Sequence, residues 1–522
     1  MRWWTALPAA VAVAFAILGL TAAPAHAHAV LVASSPIDGA RVETPPTVVT
    51  LTFDESVRLI PDAAQVISMT GEPATAGPAH LSDDGTTIVI PLRPHLPRGS
   101  YAATWRVVSA DGHVVAGSIS YGIGQDAGAQ LPPPADHSAA LTLTSDVARG
   151  VLYVGLVLAT GMALGCRMLW PWTLALKRTT ALLVAGWAAI VVATVAQFLL
   201  QGPPSLDLGW AAVFTRDALA NTLSSRTGVL LVVRAALAMA IGIALRSRRR
   251  GATTVLAVCA AGTALTVALD GHASVGAQPW LAVAVTTVHV LAMTVWLGGL
   301  VALCVAVLPT RGADDLRRWS LIAVGCVSVL ILSGTYQAWR QVRPVAALWS
   351  TSYGITLSVK VAIVATMVAL AYLARRRSGP NTLRRTVIAE LVLGMAVVAV
   401  TTALVTLPPA RATYGPPVSL SAPLDDRTAA VHLDTTRRGP TTISVTALDA
   451  HGHPIRVVSV SGTLSSQDAG IASLAVRFEP SVADQWSSSH AVVPLPGSWT
   501  LHLVVEFSTA DAITTTAHFR VW

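Results

Sequence analysis

Hydrophobic and polar residues alternate in the first part of this chain, run together through its middle, and alternate again towards its end. In "VVTLTF" (48–53), Val49, Leu51 and Phe53 fall on one face, the period-2 pattern of a half-buried strand. "TTIVIPL" and "SYAATWRVV" repeat that pattern between clusters of Pro, Gly and Asp, so residues 28–124 are expected to form a sandwich or barrel of short antiparallel strands. "GQDAGAQLPPPADHS" (124–138) breaks the alternation, and residues 125–145 read as a linker. Eight apolar stretches follow, near 146–169, 180–200, 227–245, 252–269, 281–308, 317–338, 354–374 and 386–407. Each is long enough to cross a hydrocarbon layer about 30 Å thick. Residues 146–408 are therefore expected to be an eight-helix transmembrane bundle. A second linker is expected over 409–428, and "TTISVTAL", "SLAVRF", "SWTLHLVVEF" and "TTTAHFRVW" predict a second sandwich over 429–522.

Composition agrees with a lipid bilayer as the main partner. The 522 residues are 53% hydrophobic and 12% charged, against about 25% charged in soluble domains. The net charge of +8 does not imply nucleic acid, because the arginines gather in short bursts between apolar runs. Alternating crossings put fourteen basic residues in one set of loops, from Lys177 to Arg385, and only Arg216, Arg226, Arg340 and Arg343 in the other. The positive-inside rule then predicts that both sandwiches lie outside a bacterial cell membrane. The first 27 residues fit a signal peptide: Arg2, an apolar run from about Ala6 to Ala22, then Ala25 and Ala27 at the −3 and −1 positions of an A-x-A cleavage site. An uncleaved first helix is the alternative. Cys166, Cys259, Cys304 and Cys326 all fall in apolar segments, so neither sandwich is expected to hold a disulfide.

Cleavage after Ala27 would leave His28 at the amino terminus, where a free α-amine and an imidazole can chelate one metal ion. Asp111 and His113, two apart in "SADGHVVAGSISYGIG", would share a face of an extended strand. Amine, imidazole and carboxylate together suit Cu(II) better than Cu(I). Taken alone, the D-G-H triplet reads equally as a solvated hairpin turn. The stretches "HAVLVASSPIDGA", "LTFDESV" and "WRVVSADGHVVAGSISYGIG" change that reading, because through them residues 28–124 resemble the CopC family of exported copper-binding proteins. The resemblance implies a β-sandwich holding Cu(II) through His28, Asp111 and His113. Some members carry a further methionine-rich Cu(I) site, which is not expected here because Met69 is the only methionine of the region.

In the apolar region, "DGHASVG" (270–276), "HVLAMTVWLGGL" (289–300), "SVKVAIV" (358–364) and "AELVLGMAV" (389–397) resemble the CopD family of copper membrane proteins. Asp270 and His272 are expected at the outer mouth, with His289 about two turns into the fifth helix and Met293 one turn further on the same face. These four form a candidate copper path that Cu(I) could use, with the cysteines as softer ligands at depth. Polar groups in lipid are expensive, which favours a function for His289. Met293 and each cysteine, taken singly, read as packing. Arg234, Lys360 and Glu390 are three further charges within the apolar stretches; Arg234 is expected to face Asp217 or a water-filled vestibule, or to snorkel. In the last domain, "DAHGHP" around His451 and His453 reads as a polar turn.

The resulting expectation is a copper transport protein, not an enzyme: copper is captured outside and passed inward, with a copper chaperone or a reductase as candidate partners. The alternative is a resistance protein that buffers exported copper without moving it. No G-x-S-x-G, Walker A or H-E-x-x-H motif occurs, and one clear intramembrane histidine argues against bis-histidine haem.

Overall fold

The computed structural model describes Ala29 and residues 31–60, 63–109, 114–127, 139–206, 209–249, 251–274, 278–311, 316–376, 380–481, 484–508 and 511–522. The expected signal peptide (1–27) and the candidate ligands His28, Asp111 and His113 lie outside the described residues. The chain divides into two compact units, one holding the helices and the other holding both sheet regions.

The amino-terminal region contains β1 (Leu31–Ser35), β2 (Ala40–Val42), β3 (Val48–Phe53), β4 (Val57–Leu59), β5 (Gln65–Ser68), β6 (His80–Leu81), β7 (Thr87–Pro91), β8 (Gly99–Ser109) and β9 (Val114–Ile123). They form two sheets, ordered β1-β3-β7-β6 and β2-β9-β8-β4, with β5 also paired to β8. The alternation read in "VVTLTF" is the reason: Val49, Leu51 and Phe53 are buried, against Ile88 and Ile90 of the neighbouring strand. One pairing departs from the antiparallel expectation, since β2 runs parallel to β9. The turn that allows it is strapped to β9: the Ser120 amide donates to Asp38 Oδ1 at 2.8 Å, and Gly39, at φ 75°, donates to Ser120 O at 2.7 Å. Glycine enters that left-handed conformation without a Cβ clash.

Among the described residues, eight helices of the other unit are long and apolar enough to cross a membrane: α1 (Leu143–Met168), α2 (Lys177–Gln201), α3 (Arg226–Arg246), α4 (Ala252–Leu269), α5 (Pro279–Thr310), α6 (Leu316–Gln341), α7 (Ser352–Leu373) and α8 (Arg384–Val405). The helix containing α1 already starts at Ala139, inside the expected linker 125–145. Leu141 accounts for this, because it is buried against Leu200 and Val213 and continues the apolar face of α1. The spans α1 and α5 are the most enclosed, and each includes a π-helical turn, Val157–Met162 and Leu303–Val307. They cross at glycines. A Cβ on Gly161 would lie 1.9 Å from Thr294 O, and one on Gly298 would lie 2.3 Å from the Gly161 carbonyl carbon. Small residues at such a crossing let two backbones touch where lipid offers no hydrophobic drive to association.

The carboxyl-terminal region is a second pair of sheets. One is ordered β10 (Val418–Leu424), β11 (Arg427–Leu433), β12 (Gly439–Leu448), β16 (Gln485–Val493), β15 (Glu479–Pro480). The other is ordered β14 (Ile471–Arg477), β13 (Ser459–Ser466), β17 (Gly497–Ser508), β18 (Asp511–Val521). Leu424, Leu433, Ile443, Leu464, Trp499 and Leu501 form its core. The expected linker 409–428 is corrected here, because all of β10 lies within it. Ala422 and Leu424 face the core. Pro423 is tolerated because β10 is an edge strand, where a missing amide donor breaks no central ladder. "DAHGHP" forms the expected turn, with Asp449 Oδ1 accepting the amides of His451 at 2.8 Å and His453 at 2.9 Å.

Two expectations follow. Replacing Gly298 with leucine forces α1 and α5 apart at backbone atoms and should destabilise the bundle by about 3 kcal/mol; thermal unfolding in detergent measures it, and a wild-type midpoint would contradict the crossing. The amide of His453 holds the Asp449 carboxyl below its ordinary range, helped by that of His451. A depressed folded value makes this turn's stabilisation present above the usual carboxylate range and lost as pH falls through the lowered one. Amide exchange at His451 and His453, corrected for intrinsic rates, should therefore lose protection only under acid conditions.

Candidate functional site

Strand registers define one end of the amino-terminal sandwich. Leu31 of β1 pairs with Phe53, the last residue of β3, and Val57 of β4 pairs with Ser109, the last residue of β8. The start of β1, the turn at 53–57 and the end of β8 are thus neighbours. Ala29 is 3% exposed and belongs to the apolar core. Phe53 meets the Trp105 ring edge-on at 6.3 Å and 74°. Gly117 of β9 leaves room for that indole, since a Cβ there would lie 2.3 Å from Trp105 Cζ2. The core therefore anchors the chain just beyond His28 and just before the D-G-H triplet.

In the helical unit, four elements meet around a buried charge. Arg234 of α3, 1% exposed, donates through Nη1 to Gln197 Oε1 of α2 at 2.6 Å and through Nε to Thr266 Oγ1 of α4 at 3.0 Å. Its Nη2 lies 3.9 Å from Asp270 Oδ2. This replaces the expected partner Asp217, which is exposed on a separate short helix, Arg216–Ser224. Asp270, one of the four residues of the candidate path, is thereby engaged by a fixed cation. His272 opens the 3-10 turn His272–Ser274, and its side chain lies outside the described residues.

His289 of α5 lies with its Nδ1 2.8 Å from Ser333 Oγ of α6. The Ser333 hydroxyl donates its single proton to Val329 O at 2.5 Å. Nδ1 must then be the donor to Ser333 Oγ, which assigns the proton to Nδ1 and leaves the lone pair on Nε2. A hydroxyl that fixes the tautomer in this way is what a metal-binding imidazole requires. Lys360 of α7 is close enough for its charge to act on His289. Met293 is half-buried and packs against the apolar core.

Cys166 and Cys259 are sealed within the core, and among the described residues no three His, Cys, Asp or Glu side chains converge as a metal site. Sequence reasoning missed Gln197, Thr266 and Ser333. Each is a polar residue inside an apolar stretch, which is a signal, but nothing local says which charge it serves.

Breaking the Arg234–Asp270 pair by Asp270→Leu should destabilise the protein by about 3 kcal/mol, because a buried cation loses its counter-charge. Adding Arg234→Met should recover most of that loss. Thermal unfolding of the single and double variants checks both.

Residues 31–124 match the CopC domain, and residues 313–404, which hold α6, α7 and α8, match copper resistance protein D, the CopD domain. Asp270, His272, His289 and Met293 precede the second matched segment. The chain is 26% identical over 481 residues to the copper transport protein CutJ of Bacillus subtilis strain 168, covering 87% of each. It is 38% identical over 112 residues to copper resistance protein C of Xanthomonas campestris pv. juglandis, covering 20% of this chain and 86% of that one. Among solved structures, CopC from Methylosinus trichosporium OB3b is 28% identical, with 20% of this chain and all of that one covered, at a TM-score of 0.17. The chain therefore belongs to the CopC family through its amino-terminal sandwich and joins that domain, in one polypeptide, to a CopD membrane domain.

Proposed function

We propose that this protein captures Cu(II) outside the cell membrane and passes copper inward through its helical unit. The observation that carries the reading is the presence of a CopC and a CopD domain in one chain, with CutJ, named a copper transport protein, similar along most of its length. Removal of the signal peptide exposes the α-amine of His28, which with its imidazole, Asp111 and His113 forms the capture site. The nitrogen and oxygen donors of that set suit Cu(II). Shared register at one end of the sandwich supports bringing the two ligand segments together.

Topology has independent support. A buried ion pair between Asp54 and Arg438 joins the two sandwiches, which supports reading them as lying on one side of the membrane, in keeping with an even number of spans. The excess of basic residues in the opposite loops supports an extracytoplasmic assignment for that side.

Within the helices, His272, His289 through Nε2, and Met293 are the proposed stations. Asp270 serves as the anchor of Arg234 and of the turn bearing His272. The Lys360 ammonium, whose charge acts on His289, repels a divalent cation twice as strongly as a monovalent one. Passage as Cu(I) after reduction fits that field, and gives a reductase outside and a copper chaperone inside their roles. A second reading, a resistance protein that only buffers copper, is favoured by the sealing of Cys166 and Cys259 in the core and by the engagement of Asp270.

Copper accumulation in cells expressing the chain tests the proposal. His113→Ala should reduce it to the level of non-expressing cells, and undiminished accumulation would overturn capture at this site. His289→Ala separates the readings: a transporter loses uptake, whereas a buffer keeps its copper protection. Ser333→Ala, which frees the imidazole to change tautomer, should weaken copper handling about 10- to 100-fold.

A further inference from the structure

The helix α6 turns a polar face inward. Beyond Trp319, its buried residues are Ser333, Tyr336, Arg340 and Gln341, whereas Leu321, Val324 and Leu332 are exposed. Ser333, Gln337 and Gln341 recur every four residues, with Tyr336 and Arg340 beside them, so all five lie on one stripe of the helix. At 1.5 Å per residue that stripe is about 12 Å long. Its inner end is Ser333, which meets His289 of α5. Gly334 borders the same imidazole, since a Cβ there would lie 3.6 Å from His289 Cε1. By the topology proposed above, the other end of the stripe, Gln341, closes α6 on the extracytoplasmic side.

Three polar groups of the stripe are unmet. Tyr336 Oη, Gln337 Nε2 and Gln341 Oε1 are buried without a hydrogen-bond partner among the described residues. Tyr336 and Gln341 are each 8% exposed. Arg340 is equally buried and has a partner of its own. The neighbouring helix α5 packs along α6 but offers these groups little. Over residues 279–288, only Trp280, Thr286 and Thr287 carry polar side-chain atoms. Trp280 is exposed, and the Thr287 hydroxyl donates to Val283 O of its own helix at 2.8 Å.

A polar atom buried unmet costs free energy that hydration returns. Tyr336 Oη, Gln337 Nε2 and Gln341 Oε1 therefore do not hold α6 against α5, and parting the helices there breaks no hydrogen bond of these atoms. The span α6 is also among the least enclosed of the eight. Polar side chains that face inward on a membrane helix line water-filled cavities and ion pathways.

We propose that the seam between α5 and α6 is a gated hydrophilic inlet: the helices part at their extracytoplasmic ends, water enters along Gln341, Gln337 and Tyr336, and the outer solution reaches His289. The inlet itself stands on the polar stripe of α6; that copper uses it rests on the transport reading proposed above. Hydroxyl and amide groups are neutral dipoles that replace part of an ion's hydration without a fixed charge to trap it. Arg340, a cation on the same stripe, opposes a divalent ion more strongly than a monovalent one.

Thiol labelling of the full chain in intact cells tests the inlet. Gln337→Cys and Gln341→Cys should react with a charged, membrane-impermeant reagent added outside roughly tenfold faster than Leu332→Cys on the exposed side of α6, because a hydrated thiol ionises more readily than one in apolar surroundings. Labelling of the unmodified protein gives the contribution of the native cysteines. In the unmodified protein in lipid nanodiscs, deuterium exchange at His289 Cε1, followed by mass spectrometry, should approach that of the exposed His518, a readout that needs no variant to fold. Combining Gln337→Leu with Gln341→Leu should abolish both this exchange and copper uptake. Thiols at 337 and 341 no more reactive than at 332, with His289 exchange far below that of His518, would overturn the inlet. Reactive thiols and fast His289 exchange in a chain that takes up no copper would uphold the inlet and overturn the transport reading.

Discussion

A charge or polar group taken out of water must be met by an opposite charge or by hydrogen bonds, and that requirement organises this protein. It acts in the helical unit, where Arg234 draws Gln197, Thr266 and Asp270 from two neighbouring helices and the turn after one of them. It acts again between the sandwiches, where Asp54 and Arg438 enclose each other. It also sets the state of His289, whose ring is oriented by a hydroxyl that has already given its own proton to a carbonyl. In each case the partner decides what the group can do. Asp270 is paired with a guanidinium, whereas His289 keeps one nitrogen open.

The helical unit is uneven in a way that suits this division. Glycines bring α1 and α5 into backbone contact, and the polar cluster around Arg234 joins α2, α3 and α4. The last three spans, which carry the CopD match, are much less enclosed by the rest of the unit. His289 lies on the enclosed helix α5, while Ser333 meets it from α6, one of the less enclosed spans.

Much of the fold was legible in the sequence, because membrane spans and half-buried strands are local patterns. Eight apolar stretches predicted eight spans within a few residues, and alternation in "VVTLTF" and "SWTLHLVVEF" predicted strands whose inward residues are the ones buried. The boundaries failed where a local signal misled. β10 lies inside the expected linker because nothing nearby reveals that it would pair as an edge strand, and the start of the first helix was hidden by its distant contact with Leu200 and Val213. The parallel pairing of β2 with β9 depends on Asp38 reaching an amide 82 residues away.

By itself, then, the sequence determined the class of each segment and the residue types able to hold copper, since periodicity, length and donor chemistry are read from neighbours along the chain. Only the tertiary structure decided which of those residues are committed elsewhere. Arg234 could not be matched to Asp270 instead of Asp217, nor Ser333 to His289, nor Arg438 to Asp54, until the chain had folded. Pairing of charges is set by distance through space, and separations of 36, 44 and 384 residues leave no trace in a local pattern.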